Sequence, residues 1–128
     1  MIAGYEKLDV WKLSHELALR LFKLSREFQR DERFGITSQL RRAALAIPTN
    51  IAEGSARRHH QEFLQFCNIS RGSLAETRYL LRFVRDLDWV DSKSYEAYGI
   101  EYERVGKMLN SMMNYLQRST SKKKSRYA

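Results

Sequence analysis

Val10, Leu13, Leu17, Leu21, Leu24 and Phe28 advance along the chain by threes and fours. That spacing puts them on one face of an α-helix and on no single face of a strand. It recurs three times. Leu40, Ala44, Ile47 and Ile51 form a second line. Phe63, Cys67, Ser70, Leu74, Thr77, Leu81 and Val84 form a third, with Phe66, Ile69, Leu80, Phe83 and Leu87 beside it. Tyr98, Tyr102, Val105, Leu109, Met112 and Leu116 form the fourth. Little interrupts these lines, because 128 residues hold one proline and six glycines. So few breakers favour long helices over strands and turns. The spacing predicts helices over 8–28, from 36–38 to Gly54, over 60–87, and from the turn DLDWVDS to Arg118. Thr37 or Ser38 is expected to cap the second helix, and Asp91 or Ser92 the fourth. Gly54 is expected to end the second in the left-handed conformation. Long amphipathic helices with short links make an all-α, up-and-down four-helix bundle.

Hydrophobic residues at 43% and charged residues at 30% suit one folded domain. We divide the chain into a bundle, 1–118, and a basic flexible tail, 119–128. The start, MIAGYEKLDVWK, has no signal-peptide core. No apolar run approaches the ~18–20 residues of a membrane span. Cys67 is the only cysteine, so it has no internal disulfide partner. Its place on a core line reads as a small hydrophobe, and a reduced thiol fits the cytoplasm. His15, His59, His60 and Cys67 lack zinc-motif spacing, and no Glu-x-x-His pair suggests a di-iron site. There is no G-x-S-x-G elbow and no phosphate-binding glycine loop. The expectation is therefore no metal, no cofactor and no enzyme activity.

Charge points elsewhere. The net charge is +8, and Lys122, Lys123, Lys124 and Arg126 in the acid-free tail supply half of it. Two arginine pairs, Arg41–Arg42 and Arg57–Arg58, bracket the segment RRAALAIPTNIAEGSARR. These arginines, His59 and the tail are the candidate phosphate contacts. Arg41, Arg57 and Arg58 lie off the apolar line and are expected to reach solvent.

Inside that segment, Pro48 removes a backbone donor and crowds the carbonyl of Ala44, so a kink is expected. Asn50 and Glu53 share a face. If buried, they need partners, and the next helix offers Arg71, Ser73 and Glu76, with Arg42 as a further candidate. The alternative is an exposed Glu53–Arg57 pair. On the first helix, Trp11, Ala18 and Phe22 make a second apolar stripe, with His15 between them. Two stripes on one helix imply a second buried surface, and so an oligomer.

RRAALAIPTNIAEGSARR, followed by EFLQFCNISRGSLAE, closely resembles the four-helix-bundle family encoded in intervening sequences of bacterial 23S ribosomal RNA genes. That family is also labelled S23 ribosomal protein. The resemblance spans residues 5–117, from YEKLDVW through DERFGITSQLRRAA to GKMLNSMMNYL. Lys7 stands where the family often has an acid. His59 stands where it often has a Ser/Thr cap, although Glu62 keeps the capping-box acid. The resemblance implies a left-handed bundle assembling as a homopentameric ring. It is similar, too, to accessory proteins of diversity-generating retroelements, basic pentamers that bind nucleic acid and a reverse transcriptase. The function expected is a non-enzymatic nucleic-acid-binding module for structured RNA, partnered by itself and by RNA or DNA through charge. The competing expectation is a pentameric scaffold docking an acidic partner such as a reverse transcriptase. A third is an oligomer that is purely structural.

Overall fold

The computed structural model describes residues 4–28 and 35–127, with side chains to Ser121. Its helices are α1 (Asp9–Leu24), α2 (Ile36–Ser55), α3 (His60–Asp86) and α4 (Ser92–Tyr127), and no strand occurs among the described residues. Short 3₁₀ turns, Gly4–Lys7 and Ser25–Glu27, flank α1. Successive helices run antiparallel, as contacts between their ends require. Arg41 of α2 reaches back to Ser25, and Gln39 donates to Glu76 of α3 at 3.1 Å. Arg85 of α3 lies over the Tyr95 ring of α4.

The apolar lines fold inward together. Leu17, Leu21, Leu40, Ile47, Ile51, Val84, Val105 and Leu109 are fully buried. Cys67 is buried as well, and burial pushes its thiol up to about 11. Met113, not Met112, completes the α4 line. The stripe beside the α3 core is only partly consumed: Leu80 is buried, whereas Ile69, Phe83 and Leu87 face solvent.

Three expectations change. Gly54 does not stop α2 in a left-handed turn; no glycine has positive φ among the described residues, and α2 continues to Ser55. Gly54 is instead a point of close approach to α3, for a Cβ there would stand 2.7 Å from Phe63 Cδ1 and 2.8 Å from Phe66 Cβ. Neither Thr37 nor Ser38 caps α2; Gly35 holds the N-cap position and Thr37 is buried. At α4 the expectation holds: Asp91 is the cap, accepting from the Ser94 amide at 2.7 Å. That hydrogen bond holds its carboxyl below the usual range. The third change is length: α4 passes Arg118 and continues to Tyr127.

Ala18 also departs from its expected place. It is buried in the protomer's own core, because it faces inward with Leu17 and Leu21. The outward stripe of α1 is Trp11, His15, Leu19 and Phe22, spaced by fours and threes. Leu19 is half exposed; Trp11 is stacked on His15 and edged by Tyr5.

Pro48 is buried within an unbroken α2. It has no N–H for the carbonyl of Ala44. The next three carbonyls each take a side-chain donor. Thr49 Oγ1 donates to Leu45 at 2.8 Å, Asn50 Nδ2 to Ala46 at 2.8 Å, and Ser70 Oγ of α3 to Ile47 at 2.9 Å. Only the Ser70 bond crosses between helices, so it is the buried polar pin of this segment.

Candidate nucleic-acid interface

One end of the bundle gathers the cations. α2 ends on ordinary turn bonds, with the Arg57 amide donating to the Gly54 carbonyl at 3.1 Å. A short link, Arg57–His59, then turns the chain into α3. The His59 carbonyl accepts from Glu62 and Phe63. His59 has extended backbone and its side chain makes no cap bond, so the ring is left to solvent. Arg57 and Arg58 are exposed. The Arg57 guanidinium rests 4.9 Å above the Phe66 ring, a contact that orients a cation without hiding it.

The far end of α4 comes to the same place. His60 Nδ1 and Ser119 Oγ are 2.8 Å apart, joining the start of α3 to the end of the packed part of α4. Beyond Ser119 the α4 backbone continues for about 12 Å at 1.5 Å per residue. Lys122, Lys123, Lys124 and Arg126 are carried on this extension, and their side chains lie outside the described residues. Arg118, which the sequence reading passed over, is exposed one turn before it. The opposite end carries exposed Asp86, Asp88 and Asp91 among its cations, while exposed Asp9 and Glu53 stand at the basic end.

Not every candidate belongs to this cluster. Arg41 is not free. Its Nε donates to Ser25 Oγ at 2.7 Å, one NH2 donates to the Phe22 carbonyl at 3.2 Å, and its plane lies over the Phe22 ring at 5.1 Å. It ties α2 to the end of α1. Arg42 is exposed, but it stands in the outer groove between α2 and α3 with Ser38, Gln39, Ser73 and Glu76. Fifteen residues of helix and turn separate it from Arg57, roughly 20 Å at helical rise.

The expected polar network does not assemble. Asn50 bonds its own helix, and Glu53 is exposed. Arg71 donates to Asn68 on its own helix. Glu76 accepts from Gln39, and Ser73 only lines the groove. The alternative Glu53–Arg57 pair is not formed either, since Arg57 turns to Phe66. The reason is rotational: Glu53 lies one residue from Gly54, and Gly54 takes the direction that faces α3.

No group of three or more His, Cys, Asp or Glu side chains suited to a metal occurs among the described residues. Nor is any described helix long and apolar enough to cross a membrane.

Comparison with known proteins adds two findings. The family model described as 23S rRNA-intervening sequence protein matches residues 6–111. A crystal structure from Bacteroides thetaiotaomicron VPI-5482, of a protein with unknown function from the S23 ribosomal protein family, superposes with a TM-score of 0.76. It shares 24% identity and covers 82% of this chain and 95% of its own, a likeness of fold. No curated protein matches the sequence.

Proposed function

The chain belongs to the 23S rRNA-intervening sequence protein family, and from that premise we propose that it is a non-enzymatic, cytoplasmic nucleic-acid-binding bundle whose ligand is structured RNA. One observation carries the reading: the His60–Ser119 bond brings Arg57, Arg58 and His59 beside Arg118 and the basic extension of α4. Such a cluster suits the phosphate backbone, which attracts cations whatever the sequence. Arg41 is excluded from it, being occupied by Ser25 and Phe22, and Arg42 acts at most as a distant contact.

The proposed assembly is a homopentameric ring of left-handed bundles, with α2 kinked at Pro48. Support for the ring comes from apolar side chains left in solvent, among them Leu19 at 49% and Leu45 at 48% exposure. Support for the kink comes from the side-chain donors on the carbonyls of Leu45, Ala46 and Ile47. In a ring, five basic ends would bind one RNA together and multiply modest contacts.

Mobility shift with a structured RNA at ~50 mM salt tests the reading. Binding should weaken as salt rises, with log K against log salt falling by about 0.7–0.9 per phosphate contact. Arg57→Glu with Arg58→Glu should weaken binding and flatten the slope. Deletion of residues 119–128 should do the same. Absence of binding to RNA and to duplex DNA at that salt overturns it. The same basic end would then serve a protein scaffold docking an acidic partner such as a reverse transcriptase.

A further inference from the structure

Tyr115 breaks the pattern of its helix. The neighbours that define the α4 core, Tyr102, Val105, Leu109, Met113 and Leu116, are buried, while Tyr115 is 59% exposed. Exposed aromatics also occur on α3, where Tyr79 and Phe83 pair. Those lie toward the end that carries Asp86, roughly 28 Å along the helix from His60. Among the described residues, Tyr115 is the large exposed aromatic at the basic end.

Its surroundings are ordered and chemically mixed. The His60 ring lies 5.9 Å away, tilted by 51°, and is itself fixed by Ser119. Tyr115 is thus braced on one side and open on the rest. One turn along stands Arg118. On the adjoining side of α4 a recess is lined by Ser111, Asn114, Gln117, Arg118 and Ser121. Together, Tyr115 and the recess offer an aromatic face, a guanidinium, two carboxamides and two hydroxyls, with no carboxylate among the described lining residues.

These groups answer the parts of an unpaired nucleotide. A tyrosine face stacks on a base, a guanidinium meets its phosphate, and carboxamides donate to and accept from a base edge. A base held in a duplex offers no free face to such a platform. We propose that Tyr115 is the stacking platform for an unpaired base of RNA, with Arg118 on the adjoining phosphate and Asn114 and Gln117 at the base edge. This deepens the RNA-binding reading and rests on it. The basic cluster supplies charge-based affinity, and Tyr115 makes the protein prefer loops and bulges over plain duplex.

The test compares a hairpin RNA carrying 2-aminopurine in its loop with a blunt duplex of the same stem. Wild type should favour the hairpin and quench the loop fluorophore. Tyr115→Ala should weaken hairpin binding by about tenfold or more, the scale of one base–aromatic stack, and abolish the quench. Duplex affinity should stay unchanged, and Tyr115→Phe should keep the preference. Because the side chain is exposed, the variant should keep wild-type helicity and mass. If Tyr115→Ala binds both RNAs as wild type does, or loses both equally, the stacking site is refuted while RNA binding stands. A changed oligomer mass for Tyr115→Ala assigns the ring to a subunit contact and also refutes it. If wild type binds neither RNA, the underlying reading falls as well.

Discussion

The Arg41 guanidinium is held from two directions, by Ser25 Oγ and the Phe22 carbonyl at its edge and by the Phe22 ring on its face. Arg41→Ala should destabilise the bundle by about 1–3 kcal/mol in urea unfolding, since it strands polar groups that are partly buried. Arg41→Lys should rescue little, because an ammonium has neither the fork nor the flat face. RNA affinity should change far less than for Arg57→Glu with Arg58→Glu. The sequence places Arg41 off the apolar line, and that much is right. It does not reveal that Ser25 waits across an interhelical turn, because only tertiary packing sets that register. Cys67 was more legible, since its place on a core line suffices. Its thiol moves from 9.0 to about 11, through desolvation of the thiolate. The folded state thus keeps a proton that the unfolded chain loses above pH 9. Stability should be full below that pH and fall as pH rises toward 11. Cys67→Ala should remove this part of the alkaline slope, and a thiol reagent at pH 8 should label the native protein slowly.

At the scale of elements, spacing alone locates all four helices, and the errors concern what ends them. The rule that helices stop at glycine misjudges Gly54. The structure uses it by the other property of glycine, the missing Cβ, which lets Phe63 and Phe66 close on α2. Gly54→Ala should therefore destabilise by about 1–3 kcal/mol, as overpacked contacts do. The Phe66 Cβ in particular cannot move without its helix. Gly72→Ala is the control: nothing lies within 4 Å of its Cβ position, so it should be neutral or stabilise by up to about 1 kcal/mol through helix propensity. Thermal unfolding should show a lowered Tm for Gly54→Ala and an unchanged or raised Tm for Gly72→Ala. The end of α4 was misread for a different reason. The charged run from Lys122 suggested a frayed tail, but after Gly106 the sequence has neither glycine nor proline to stop a helix. Lysine and arginine are good helix formers, and cations at a helix C-terminus are favoured by the peptide dipoles. The expected Asn50–Glu53 network failed because face-sharing fixes which residues are neighbours on α2, not which way that face turns. The helix rotates so that Gly54 meets α3, and Glu53 is carried outward.

For the whole molecule, the apolar side chains left in solvent bear on assembly. Among the described residues, two separate apolar faces are exposed within one chain. One lies on α1 and α2, where the Arg41–Phe22 contact and antiparallel rise set Leu45 about level with Leu19. The other follows α3 through Ile69, Tyr79, Phe83 and Leu87. Different faces meeting head to tail generate a closed ring when the rotation between subunits closes, which is the arrangement the proposed pentamer needs. The sequence spacing predicts a second apolar stripe on α1 from Trp11, Ala18 and Phe22, and the structure leaves none of the three fully exposed. Ala18 is spent in the core, Trp11 is partly covered by Tyr5, and Phe22 lies under Arg41. The residues to change are therefore Leu19 and Leu45, which hold no partner place in the protomer's core. Leu19→Glu with Leu45→Glu should lower the mass by light scattering from five times 15.2 kDa to that of a single chain, because burying unpaired carboxylates in a contact is costly. Helicity should be unchanged, since both side chains are exposed in the protomer. Loss of the ring should also weaken RNA binding by about 100-fold or more as avidity disappears, while Arg57 and Arg58 remain in place. A wild-type mass of one chain at micromolar concentration would remove the pentamer, and with it the cooperation of five basic ends on one RNA.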